Sequence, residues 1–274
     1  MTIPATATPR RKVRSSDDGQ PALPGTETVD LSLRMLEHLA ASREPVGVTD
    51  LARAFDSSKA TVYRHLQTLM RHGFVRQEPA TMRYEVGIKL FILGERIRER
   101  FEVLAVARDE MARLREQCDQ AVSLSALADD QVVVLEVLQG RSIVNFGTQP
   151  GTVLDLHASA HGKVALAFGP EELLKRCLEK TLKAWTPQTI RTRPALLRAL
   201  EQVRSRGWAT APNQVLPGVN GVAAPIFNHL LSYVGAIAIV GSIQHIPATP
   251  SRDQIGAVTE AARRISVKLG WRMK

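Results

Sequence analysis

Lys59, Tyr63, Arg64, Gln67 and Arg71 share one side of a periodic run, with Ser58 and Thr61 near its start. They are cationic, amide and hydroxyl groups, with no acid among them. Such groups bond phosphate oxygens and base edges in a DNA groove. Opposite them, Val62, Leu66 and Leu69 recur at helical spacing, so the run reads as an amphipathic helix. Its polar side is a candidate DNA-reading face, and a merely solvated face is the plain alternative. The flanking residues favour DNA. Asp56-Ser57-Ser58 reads as the turn of a helix-turn-helix, with Ser57 as the expected N-cap and Gly73 as the stop. Leu51, Ala52 and Phe55 of the preceding helix, and Leu31, Leu33, Met35, Leu36 and Leu39 before that, are the expected packing partners. Residues 74–77 and 82–86 read as the two strands of a wing, turning at 78–81. Arg83 is expected near the wing tip, within reach of phosphate or the minor groove, with a simple surface arginine as the rival reading.

Other chemistries fall short. His157 and His161 are four apart at the expected start of a helix, where they would share a face as a metal pair does. Ala158 stands where a metalloprotease motif has Glu, and beyond Asp155 no third ligand is evident. No metal is expected. Gly162-Lys163 lacks the earlier glycine of a phosphate loop, and Val164 stands where Ser or Thr is needed. Ser159 has no nucleophile-elbow glycines around it. No acid–base pair stands out, so an enzyme has no anchor here and no cofactor is expected. Cys118 and Cys177 lie in helical patterns without close ligand partners, which fits a reduced, cytoplasmic chain.

The elements that must position these residues fill 274 positions, enough for two domains with a core each. A net charge of +9 suits a polyanionic partner. It does not locate the DNA surface. The first 100 residues hold 16 Lys and Arg against 12 Asp and Glu, and the rest hold 20 against 15. No apolar run reaches membrane-spanning length and no signal-peptide core opens the chain, so no membrane is expected as a partner. Residues 1–26 read as a disordered tail with a basic cluster at 10–14. Residues 27–87 read as a winged helix-turn-helix, 88–101 as a linker helix and 102–274 as a second domain. In the second domain, Val103, Ala107, Met111 and Leu114 mark a first helix. Strands are expected at 121–127, 131–138 and 143–147, with Asp129-Asp130 turning the first pair. A loop then runs into a helix around 158–163, followed by helices at 170–179 and 193–206. Strands at 207–211, 219–226 and 233–241 and a helix at 251–269 complete an α+β sheet domain. Glycine and proline at strand ends, Gly221 among them, leave room for a close ligand, although turn chemistry explains most of them.

Certain segments, in this order, carry a family pattern: SSKATVYRHLQTLMRHGFV followed by RYEVG, then LHASAHGKVALAF, RGWAT and PGVNGVAAPIF. Over about residues 27–270 the chain resembles the IclR family of bacterial transcriptional regulators. The resemblance implies a C-terminal GAF-like effector domain with a central antiparallel sheet. It also implies a homodimer, or a dimer of dimers, on double-stranded operator DNA, and a small organic acid as effector. By position it implies an effector pocket at Leu154, His157, Ala158, Ser159, His161, Gly162, Gly221, Ala238 and Val240. The chain departs from the family where Pro often stands at Asp155, a small or apolar residue at His161 and a Glu pair at Asn213 and Gln214. It departs again where Cys is usual at Gly221 and serines at Ala238 and Val240. The expected pocket is therefore roomier and more apolar, suited to an aromatic or longer acid, with His157 or His161 donating to its carboxylate. The reading is a ligand-responsive regulator of a catabolic operon, in which the connector at 88–100 carries the response. The rivals are an enzyme with an accessory winged helix, and a winged helix used only for assembly.

Overall fold

The computed structural model describes residues 26–98, 101–128, 130–141 and 148–272. The basic cluster at 10–14, the strand expected at 143–147 and Asp129 lie outside them. The chain divides into two compact units between Glu95 and Arg96.

In the first unit the chain forms α1 (Glu27–Ala41), α2 (Val48–Ala54), α3 (Lys59–Arg71), β1 (Val75–Gln77) and β2 (Tyr84–Val86), and it leaves through α4 (Ile88–Arg98). Met35 and Leu39 of α1, Leu51 of α2, Val62 and Leu66 of α3, and Val75 and Tyr84 of the wing bury one another. Each large side chain so buried contributes about 1.5–3 kcal/mol. Leu33, expected in this core, is 54% exposed. The α2–α3 turn pivots on Asp56, whose φ of 48° puts it in the left-handed region. That pivot delays the helix by one residue. Ser58, not Ser57, is the N-cap, its Oγ accepting the Thr61 amide at 3.1 Å. Gly73, at φ 78°, ends the helix. The wing is antiparallel, with Arg76 opposite Glu85.

The second unit holds α5 (Glu102–Cys118), β3 (Ala121–Ala128), β4 (Gln131–Leu138), β5 (Val153–Leu154) and α6 (Ala160–Phe168). It continues with α7 (Glu171–Glu179), α8 (Arg193–Arg206), β6 (Ala209–Thr210), β7 (Val219–Phe227), β8 (Tyr233–Ser242) and α9 (Arg252–Lys268). Among the described residues the strands form one antiparallel sheet in the order β5-β4-β3-β8-β7-β6. Strand alternation sorts its side chains into two layers. Leu124, Val222, Ile237 and Ile239 pack with Ala107 and Met111 of α5 and with Val258 and Ile265 of α9. Ala223, Ala236 and Ala238 pack with Val164 of α6, Leu173 of α7 and Leu200 of α8. The same alternation turns Ser123 and Ser125 toward α6.

The helix expected around 158–163 begins at Ala160, capped by Ser159, whose Oγ accepts the Gly162 amide at 2.9 Å. His157 therefore precedes the helix and does not share a helical face with His161. The cause is local: Asp155 Oδ1 accepts the amides of His157 and Ala158 and holds that stretch as a turn.

Candidate functional site

On α3, Ser58, Lys59, Tyr63, Arg64 and Arg71 are exposed, while Thr61 and Gln67 are half-buried. Several other arginines of this unit, though not Arg43 among the described residues, are already engaged. Arg34 holds Asp30, Arg53 holds Asp50 and Arg76 holds Glu85. Among the described residues Lys59, Arg64 and Arg71 form no ion pair. A helix face with three uncompensated cations and no carboxylate offers its full charge to phosphate. Ser58 and Thr61 are partly committed, their hydroxyls 2.9 Å apart in the cap. Arg83 closes the wing turn just before β2, its carbonyl accepting the Glu78 amide at 2.8 Å. Its Nη2 donates to Asp50 Oδ2 at 2.9 Å, which ties the wing to α2. The tip holds Glu78, Pro79, Ala80 and Thr81 and carries no cation. His65, which the sequence did not single out, is buried in α3 with Nδ1 2.7 Å from Ser32 Oγ, fastening this helix to α1.

In the second unit a cavity of about 110 Å3 opens where α6 meets β3, β7 and β8. Of the nine residues expected around an effector, Leu154, Ser159, His161, Gly221, Ala238 and Val240 line it. His157, Ala158 and Gly162 do not. A Cβ on Gly162 would lie 2.3 Å from the Asp155 carbonyl oxygen, so this glycine serves a close backbone crossing. Sequence reasoning missed Ser123, Asn220, Val215 and Leu216, which also line the cavity. Ser123 and Ser125, two apart in an apolar strand, were the available signal, because that spacing puts them on one face. Leu154, Ala160, Ala211, Val215, Leu216, Val219, Ala238 and Val240 make most of the lining apolar.

His161 is buried, with Nε2 2.8 Å from Ser123 Oγ and Nδ1 2.8 Å from Ser125 Oγ. Burial pushes its pKa down to about 4. It is thus neutral and occupied, not a free cationic donor for a carboxylate. His157 is spent too: Nδ1 meets Asp155 Oδ1 at 2.8 Å and Nε2 donates to the Lys183 carbonyl at 3.0 Å. Burial raises the pKa of Asp155, but hydrogen bonds from His157, Trp185 and Ala158 outweigh it and hold the carboxyl below its ordinary value. Lys163, one turn along α6, donates to the Thr210 carbonyl at 3.0 Å and to Gln214 Oε1 at 2.5 Å. Burial, with Arg206 nearby, lowers its pKa to about 7.

What remains open to a ligand is the N-terminus of α6. Ser159 Oγ takes the third amide, while those of Ala160 and His161 have no partner among the described residues. Free amides at a helix start suit an anion. A larger groove, of about 390 Å3, lies between α5 and α9. Its walls are already matched: Glu110 meets Arg113, Arg264 and Lys268, and Glu260 meets Arg264. Among the described residues no cluster of metal-ligating side chains forms, and no helix is long and apolar enough to cross a membrane.

Comparison with known proteins agrees with both units. Residues 28–79 match the IclR helix-turn-helix domain, and residues 96–267 match the bacterial transcriptional regulator IclR C-terminal domain. The Escherichia coli transcriptional regulator KdgR is 29% identical over 86% of this chain and 90% of its own. The Escherichia coli transcriptional repressor AllR is 29% identical over 95% of this chain and 97% of its own. The crystal structure of Thermotoga maritima IclR aligns with a TM-score of 0.72 at 28% identity, over 89% of this chain and 99% of that one. An unpaired basic helix face and an apolar cavity at a helix N-terminus sit in the two domains those matches name, and the chain belongs to the IclR family of bacterial transcriptional regulators.

Proposed function

We propose that the protein is an operator-binding switch whose DNA contacts come from the exposed face of α3 and whose input is a compact organic acid. The observation that carries the DNA half is the trio Lys59, Arg64 and Arg71, cations without carboxylate partners on one exposed face among the described residues. The cavity supports the input half. A carboxylate fits the open amides of Ala160 and His161, and the rest of the molecule fits against Leu154, Gly221, Ala238 and Val240. The volume favours an acid no larger than a single ring, since about 110 Å3 is less than the about 150 Å3 of a dry cavity known to admit benzene. The reading is thus narrower than the sequence suggested. An aromatic acid stays in range, and longer chains do not.

The working form is a dimer on a two-fold operator. Val29 and Leu33 on α1, and Ile88 and Phe91 on α4, are more than half exposed, apolar surface that a second copy would cover. Effector occupancy favours one subunit arrangement, and α4 passes that choice to the DNA-binding units. An acid that binds both arrangements equally changes nothing. The output is repression, by likeness to the relative named as a repressor.

The test is fluorescence anisotropy of the full chain on DNA from upstream of its own gene, with and without benzoate or pyruvate. Expected are tight binding that falls steeply with salt and a shift in affinity on adding one acid. No binding at any salt would leave the winged helix with an assembly role only.

A further inference from the structure

We propose that residues 183–189 act as a strap that sets effector size, by holding the loop 213–219 down over the cavity. The inference rests on the effector reading of that cavity. The loop is a closed unit. The Asn213 amide donates to the Val219 carbonyl at 2.8 Å and the Gly218 amide donates to Asn213 Oδ1 at 2.7 Å. From this loop Val215 and Leu216 line the cavity, while each stays about half exposed, as befits a lid.

The strap holds the lid at its base. Thr186 Oγ1 donates to the Asn213 carbonyl at 2.6 Å, and Thr189 Oγ1 donates to the Gln214 carbonyl at 2.7 Å. Thr189 Oγ1 also accepts the amides of Trp185 and Thr186, which fixes its direction. Both threonines are buried. The other end of the strap is anchored beside the start of α6. Trp185 Nε1 donates to Asp155 Oδ2 at 2.9 Å, and His157 donates to the Lys183 carbonyl. Lys163 adds a tie from α6 to the Gln214 side chain.

No strap residue lines the cavity, so the strap acts through the lid and is a positioning element. Raising the lid breaks two buried hydrogen bonds and leaves two carbonyls without partners, which is costly. With the lid down the space stays near 110 Å3 and bulky acids are shut out.

The test compares the full-length parent with the double variant Thr186→Val, Thr189→Val, which keeps shape and removes both donors. Calorimetric titration uses benzoate as the small probe and 2-naphthoate as the bulky one. Hydrogen exchange is read over residues 213–219. The expected result is faster exchange in the loop and a shift of about tenfold or more in relative affinity toward 2-naphthoate, on the scale that pocket shape can supply. Unchanged exchange, or faster exchange with an unchanged affinity ratio, overturns the strap and leaves the effector reading standing. A parent that binds neither acid overturns the effector reading and the size rule with it. If the double variant fails to fold, Trp185→Phe cuts the outer anchor and should shift both readouts the same way. Thr189→Ser retains the hydroxyl and should behave as the parent.

Discussion

Ser125 Oγ lies 2.8 Å from His161 Nδ1, and that contact fixes the character of the cavity floor. Ser123 does the same to Nε2, so a neutral imidazole, one donor and one acceptor, meets two hydroxyls that can each do either. The folded pKa of about 4 lies below the ordinary 6.5. As pH falls below 6.5 the unfolded chain takes up a proton that the folded ring refuses until about pH 4. The stability that His161 contributes is full above 6.5 and is lost across that window, about 3 kcal/mol in all. Urea unfolding at pH 7.5 and 4.5 should show the parent losing about 2–3 kcal/mol more than His161→Gln.

Lys163 gives a window at the other end. Its folded pKa of about 7 lies below the ordinary 10.5. Between those values the unfolded chain keeps the proton and the folded one does not. Stability from this residue therefore grows as pH rises through that range, by about 3 kcal/mol between pH 7 and 9.5. The same unfolding measurement on Lys163→Met should show that rise removed.

Two kinds of arginine separate on DNA. Arg64→Ala should weaken operator binding by about 1–3 kcal/mol if it reads a base, and Arg71→Ala should lower the salt slope by about 1 as a phosphate contact is lost. Arg83, engaged with Asp50, should be nearly silent, within about 1 kcal/mol. Anisotropy titrations between about 50 and 200 mM salt distinguish the three. A loss at Arg83 equal to that at Arg64 would return the wing to the interface.

Two glycines should respond oppositely. At Gly221 a Cβ would stand 3.4 Å from the Ile239 carbonyl oxygen and 3.8 Å from Ala160 Cβ, ordinary contact on the cavity side. Gly221→Ala should fold normally and weaken benzoate binding. At Gly162 the same atom would collide with the carbonyls of Asp155 and Leu156. Gly162→Ala should cost about 1–3 kcal/mol or more. Thermal melts with and without benzoate read both.

Much of this was legible because periodicity is a direct imprint of burial. The stripe of Val62, Leu66 and Leu69 announced α3, and apolar runs with Gly and Pro at their ends marked β7 and β8. The misses share a cause. The shift of the cap from Ser57 to Ser58 depends on one left-handed residue, Asp56, and adjacent serines look alike in sequence. β5 is two residues long, too short to show a period. Arg83 meets Asp50 across 33 positions, and His161 meets Ser123 across 38. Such partners are set by tertiary packing, so residue type named the candidates and could not say which were already occupied.

β3 carries Leu124 in the layer shared with α5 and α9, and Ser123 and Ser125 in the layer shared with α6. A strand is a single stiff object with two upholstered sides. The serines that hold His161 and the leucine that packs with α5 and α9 are thus neighbours on one backbone, so β3 belongs to both layers at once.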